Sequence, residues 1–227
     1  MKRPLSQEGL KLFACITMLV DHYGAILAPW ELSYRVIGRL SFPVFCFLLA
    51  EGAHRTKSPG KYALRLLIAA VISELPFDYA FFGKVFWYHQ NVMFTLLLGL
   101  MAILAVEKTR FFWLKPLVAL PFLIAAEFLE SDYGMHGVLL MLLFGVTYHL
   151  PGKNWIQAIG MLLIFADMSG VILFTVLGVD VTLQMVGALA ILPIAMYSGK
   201  KRIYSKPVQW GFYLFYPLHL LILLLMR

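Results

Sequence analysis

Charge is scarce in this chain. Only 14% of its 227 residues are Asp, Glu, Lys or Arg, against about a quarter in an ordinary soluble domain. With 61% hydrophobic residues, that scarcity argues against a water-soluble globular fold. Cysteine is scarcer still: Cys15 and Cys46, each inside an apolar run. Two isolated thiols make no cluster, and they read as small buried packing residues, not as a disulfide. The six histidines include no i, i+4 pair of the kind that holds zinc on a helix, so no metal is expected. P-loop, dinucleotide fingerprint and G-x-S-x-G are all missing, which removes the usual signals of nucleotide hydrolysis, nicotinamide chemistry and serine hydrolysis. The sequence offers no linker, low-complexity tract, soluble appendage or internal repeat. A single integral-membrane domain over residues 1–227 is therefore expected.

What is present is a series of long apolar runs separated by short basic loops. This pattern predicts an all-α polytopic transmembrane bundle of about nine spans. They fall near 8–29, 34–54, 61–82, 90–108, 111–130, 133–150, 154–176, 180–198 and 208–226; Ser169-Gly170 and Gly178 weaken the end of the seventh. The opening Met-Lys-Arg resembles the charged end of a signal peptide. The run behind it is long, carries Asp21-His22 and lacks a small-residue cleavage site, so a retained span is expected. With the N-terminus in the cytoplasm, Lys2, Arg3, Lys11, Arg55, Lys57, Lys61, Arg65, Lys108, Arg110, Lys115, Lys153, Lys200, Lys201, Arg202 and Lys206 all fall inside. Arg35, Arg39, Lys84 and Arg227 fall outside. Such a bias fits a multi-pass protein of the inner (plasma) membrane with an odd span count. It also accounts for the net charge of +7 without any nucleic-acid partner.

The polar residues inside the runs need a reason, because ionisable groups are costly in a bilayer. Lys11 and His22 lie eleven residues apart, hence on nearly one helix face and about 16 Å apart along its axis. Asp21 adjoins His22 but points about 100° away. Pro43 is expected to kink the second span, which ends in Glu51, His54 and Arg55; Glu51 and Arg55 are spaced to pair. Glu74 and Asp78 sit one turn apart around Pro76. They read either as a functional acid pair or as a structural site with Arg39, which lies at similar depth. An aromatic loop, Phe81 to His89, fits the membrane interface, and Gln90-Asn91 opens the next span. His136 begins the sixth span, and His219 stands beside Pro217 in the last.

Several of these stretches together resemble the TraX family. They are Leu10-Lys11 through Met18-Leu-Val-Asp21-His22, Ile37-Gly-Arg39-Leu-Ser-Phe-Pro43-Val-Phe, Glu51-Gly52 and Tyr62-Ala-Leu-Arg65-Leu-Leu. They continue with Ser73-Glu74-Leu-Pro76-Phe-Asp78, Gln90-Asn91-Val, Phe94-Thr-Leu-Leu-Leu-Gly99 and Phe212-Tyr-Leu-Phe-Tyr-Pro217-Leu-His219. Residues 105 to 190 match less distinctly. The resemblance implies a relative of the membrane acyltransferases that modify surface polysaccharides; the family's namesake is associated with acetylation of a pilin N-terminus. Those acyltransferases carry an arginine, ten residues and then a histidine in their first span. Lys11 and His22 keep the gap but replace the guanidinium by an ammonium, which contacts phosphate as a point charge only.

The resemblance thus implies an acyl-CoA-dependent acyltransferase, with acetyl-CoA as donor and an extracytoplasmic acceptor: a protein N-terminus, a glycan or a small molecule. His22 is the expected general base or acyl carrier, with Asp21, Glu74 or Asp78 steadying its imidazolium. Lys11, Arg39, Arg55, Lys57, Lys61 and Arg65 are the expected contacts to coenzyme A, and Gln90, Asn91, His136 and His219 the expected contacts to the acceptor. Membrane lipid is the remaining expected partner. Two rivals stand beside this reading. Proline-broken helices at Pro43, Pro76 and Pro217 with buried acids also suit a secondary transporter. A non-enzymatic assembly factor for surface appendages is the other.

Overall fold

The computed structural model describes residues 4–200 and 205–227, without the side chain of Lys206. Lys2, Arg3, Lys201 and Arg202 of the expected cytoplasmic set lie outside the described residues, as does the side chain of Lys206. The chain divides into two compact units, Met1–Phe45 with Asn154–Arg227, and Cys46–Lys153.

In the first unit, α1 (Gln7–Leu27) begins where Ser6 Oγ accepts the Gly9 backbone N–H at 3.2 Å. That cap satisfies one of the orphan donors of the first turn. The helix is 21 residues long, about 32 Å, enough to cross a hydrocarbon core. Leu10, Ala14, Met18 and Asp21 face inward, while Leu12, Ile16, Leu19 and Tyr23 face out. A short helix, α2 (Leu32–Gly38), packs back on α1. Two glycines permit the approach. A Cβ on Gly24 would lie 2.4 Å from the Cβ of Tyr34, and one on Gly38 would lie 2.1 Å from Asp21.

After a break at Arg39-Leu40, α3 (Ser41–Arg55) begins. The expected kink at Pro43 is therefore a helix start instead. Pro43 sits in the first turn, where a missing N–H costs nothing because that donor has no intrahelical partner. The last helix, α10 (Lys206–Met226), is capped by Ser205 Oγ, which accepts the Val208 N–H at 3.3 Å. It packs on α1.

The second unit contains α4 (Pro59–Phe82), α5 (Val92–Lys108), α6 (Lys115–Phe128) and α7 (Gly134–Val146). Here α5 packs against α4, α6 and α7. Gly99 admits Met141, and Gly145 admits Ile103, so α5 and α7 come close. Leu64, Ile68, Val71, Ile72, Leu75 and Tyr79 form an exposed stripe along α4. A stripe of this period normally faces a protein core; facing outward on helix after helix, it marks a protein whose solvent is lipid.

The expectation of about nine spans needs correction in the segment after residue 150. Helix α8 (Lys153–Ala166) stops ten residues short of the expected end. Strands β1 (Ile172–Val176) and β2 (Val179–Thr182) then pair antiparallel. Leu177 and Gly178 turn between them with φ of 52° and 80°. β-Branched Ile, Val and Thr on both sides of a Gly turn favour a hairpin, yet their apolarity reads like a span. A 3-10 stretch, Leu183–Ala190, and the short α9 (Ile191–Ala195) replace the expected eighth span. Among the described residues, three helical stretches are long and apolar enough to cross a membrane: Gln7–Leu27, Leu32–Arg55 and Pro207–Met226. The chain is a mostly helical membrane protein, and its described residues include a small two-stranded sheet.

Candidate functional site: a histidine pair and an arginine-bound aspartate

The first unit gathers Lys11, Asp21, His22, Arg39 and His219 on α1, α10 and the α2–α3 break. Asp21 is 7% exposed, so its charge needs compensation. Arg39 Nη2 donates to both carboxylate oxygens, at 2.7 and 2.9 Å. Arg35, one turn earlier, places Nη1 2.7 Å from Oδ2 and 3.2 Å from the Asp21 carbonyl oxygen. Arg39 Nη1 donates in turn to Gln184 Oε1 at 3.2 Å. Two guanidiniums on one carboxylate form a charge-assisted clamp of α2 onto α1. Gly38 is part of it, since any side chain there would occupy the carboxylate's place.

One expectation needs correction. Arg35 and Arg39 hold the Asp21 carboxylate, so it is not spare to steady the ring of His22; the neighbouring side chain points elsewhere on the helix, as its 100° offset requires.

The partner of His22 is His219. Its Nε2 lies 2.7 Å from Nδ1 of His22. The ring planes are 13° apart and the centroids 4.9 Å apart, the arrangement of two imidazoles joined edge to edge. His219 Nδ1 lies 2.7 Å from the Phe215 carbonyl oxygen. A carbonyl only accepts, so Nδ1 of His219 carries a proton. In the neutral pair its Nε2 is then the acceptor, and His22 Nδ1 is the donor. The lone pair of His22 is thereby placed on Nε2. Tyr216, 1% exposed, stands edge-on to both rings, and His219 is 4% exposed. His22 is half-buried. A half-buried imidazole with a fixed tautomer is suited to take a proton from a reacting group.

Lys11 lies on the same pair of helices. Its Nζ is 5.2 Å from the Phe212 ring centroid, a cation–π contact. The Lys11–Phe212 and His22–His219 contacts advance together along both helices, so α1 and α10 run parallel.

The second unit holds the other expected residues, and most have structural tasks. Glu74 Oε2 accepts from the backbone N–H of Asn91 at 3.3 Å and from its side-chain amide. Asn91 Nδ2 also donates to the Ala70 carbonyl oxygen at 2.9 Å, and its Oδ1 caps α5 through the Met93 N–H at 3.0 Å. Asp78 Oδ2 accepts the Phe86 N–H at 2.9 Å. Gln90 pairs with Ser131 in a parallel bridge, and its amide donates to the Trp87 carbonyl oxygen at 2.7 Å. Together they pin the aromatic loop before α5.

Arg55 pairs with Glu51 at 3.0 Å, as their spacing predicts, and contacts the Tyr148 hydroxyl at 3.4 Å. Arg65 stacks over Tyr62, with 5.6 Å from Cζ to the ring centroid. Lys57 and Lys61 are exposed, and His136 is half-buried in the first turn of α7. Among the described residues no group of three or more His, Cys, Asp or Glu is placed to hold a metal ion. The His22–His219 pair was not legible as a pair, since 197 residues separate its members. The signal that existed was the proline two residues before His219 inside an apolar run.

A family model described as TraX protein matches residues 6–227. The chain is 30% identical over 235 residues to "Probable fimbrial assembly protein FimC, serogroup H1" of Dichelobacter nodosus, covering 94% of this chain and 92% of that protein. It is 36% identical over 69 residues to "Uncharacterized protein RP591" of Rickettsia prowazekii (strain Madrid E), covering 30% of this chain and 26% of that one. No solved structure matches the chain.

Proposed function

Since the chain belongs to the TraX family, we propose that it transfers an acyl group, acetyl first, from acyl-CoA to an amine or hydroxyl of an extracytoplasmic acceptor. The observation that carries this reading is the ordered proton chain from His22 through His219 to the Phe215 carbonyl. It leaves His22 Nε2 as the basic atom.

In the proposed step an acceptor N–H or O–H gives its proton to His22 Nε2. The acceptor's lone pair attacks the thioester carbonyl. A C–N or C–O bond forms as the C–S bond breaks. The leaving thiolate takes the proton back from the imidazolium, so both histidines end as they began. His219 holds the His22 ring in register, as the buried carboxylate does in a Ser-His-Asp triad, although it brings no fixed negative charge. Lys11 supplies a cation on the same helix pair for the phosphates of the donor.

A pilin N-terminus is the favoured acceptor, because the relative that aligns over nearly the whole chain is named a fimbrial assembly protein. A surface glycan follows. The same name also favours a non-enzymatic assembly role. The test is transfer of labelled acetyl from acetyl-CoA to a pilin N-terminal peptide by the purified protein, compared with His22→Ala. Acyl transfer that persists in His22→Ala overturns the assignment of the base. A protein that neither transfers label nor melts higher with acetyl-CoA supports the assembly role instead.

A further inference from the structure

The second unit contains a cavity of about 370 Å³ that the preceding reading leaves unused. It opens between the C-terminal ends of α5 and α7 and the start of α6. His54, Glu107, Lys115 and His149 supply its polar wall, and Ile103, Val106, Leu142 and Val146 its apolar one.

His54 is engaged on both ring nitrogens. Nε2 lies 3.1 Å from the Gly145 carbonyl oxygen and Nδ1 2.6 Å from Glu107 Oε1. Its ring also stacks on Tyr148, with centroids 4.1 Å apart. Both facing atoms are acceptors, so the pair holds enough protons to fill both positions and is neutral as a whole. The Glu107 carboxylate, the one anionic group in the wall, is thereby matched. What remains is Lys115, a compact ammonium, and the exposed imidazole of His149. Neither makes an ion pair or side-chain hydrogen bond among the described residues; His149 touches only the rings of His54 and Tyr148. The cavity thus has one cation in excess, a nearby N–H donor and an apolar wall.

We propose that this cavity binds a phosphate group carried on a small organic body. Lys115 and His149 contact the oxyanion, and the aliphatic wall seats the attached carbon atoms. The volume exceeds what a phosphate alone fills and falls in the range of small-ligand sites. Two sources share this chemistry, a soluble nucleoside diphosphate and the headgroup of an anionic phospholipid. The inference is independent of acyl transfer at His22.

Native mass spectrometry of the full chain released from neutral detergent tests it. Adenosine diphosphate and phosphatidylglycerol serve as probes, with phosphate-free diacylglycerol as control. At least one phosphate probe is expected to bind. Lys115→Ala is expected to lower its bound fraction at least tenfold, His149→Ala to weaken it less, and Lys115→Arg to restore it. Binding of the diphosphate alone assigns a soluble ligand, and binding of the lipid alone a headgroup; either supports the proposal. Binding of neither, or binding unchanged in both alanine variants, overturns it. His149 is exposed, so His149→Ala keeps the test open should Lys115→Ala fail to fold.

Discussion

His219 Nε2 meets His22 Nδ1 at 2.7 Å, and this single contact decides which nitrogen of His22 is basic. Replacing His219 by Phe keeps an aromatic ring beside Tyr216 and removes the acceptor. The His22 tautomer is then no longer fixed. For the proposed acyl transfer, His219→Phe is expected to lower kcat about a hundredfold while leaving KM for acetyl-CoA within about twofold. A purely structural role would lower the melting temperature instead and leave kcat per folded molecule unchanged. Steady-state kinetics together with thermal unfolding distinguish the two.

Asp21 is the keystone of the arginine clamp. In Asp21→Asn, the buried charge of Arg39, 7% exposed, loses the carboxylate charge set against it. Breaking a buried pair from one side costs about 3–5 kcal/mol, so the variant is expected to unfold at markedly lower temperature or denaturant. Arg35 is more exposed, at 29% of its side chain, and Arg35→Ala is expected to cost about 1 kcal/mol. Thermal melts of both variants in one detergent check the ranking. Equal effects would mean that the two guanidiniums share the load.

The helices of this protein were legible because apolar runs and capping residues are local signals. Ser6 before α1 and Asn91 before α5 stand where the expected spans begin. The hairpin at residues 172–182 was not legible as such. Its valines and Ile172 are as apolar as a span, and only the Leu177-Gly178 turn separates the alternatives. At the site, Lys11 and His22 were legible by their shared helix face, and Glu51 with Arg55 by the i, i+4 rule. Asp21 was read as a support for His22 because its arginines lie 14 and 18 residues away, beyond the expected end of the first span, and only tertiary packing brings both onto one carboxylate. The partners His219 of His22 and Glu107 of His54 depend on tertiary packing alone.

Gly38 is expected to tolerate no side chain. A methyl group there would stand 2.1 Å from Asp21 Oδ1, with backbone of α2 on one side and the clamp on the other. Gly38→Ala must therefore push α2 off α1, because the added methyl also overlaps the Asp21 Cβ, which stays in place whichever way the carboxylate turns, and the clamp opens with it. Its expected phenotype resembles Asp21→Asn, and combining the two should be far less than additive. A double-mutant cycle on melting free energies measures this. Strict additivity would show that the glycine and the clamp act separately.

Helices α1 and α10 advance in the same direction through the Lys11–Phe212 and His22–His219 contacts. If both cross the bilayer, their N-terminal ends share one face, and the ends after Leu27 and Met226 share the other. The positive-inside bias puts the first of these faces in the cytoplasm. A fluorescent reporter placed ahead of α1 should therefore light up inside the cell. A periplasm-dependent phosphatase fused after α10 should be active outside. Phosphatase activity lost after α10 but present ahead of α1 would invert the topology. Both reporters active on one face would require α1 and α10 to cross in opposite senses, and the Lys11–Phe212 and His22–His219 contacts could not then both form within a single chain.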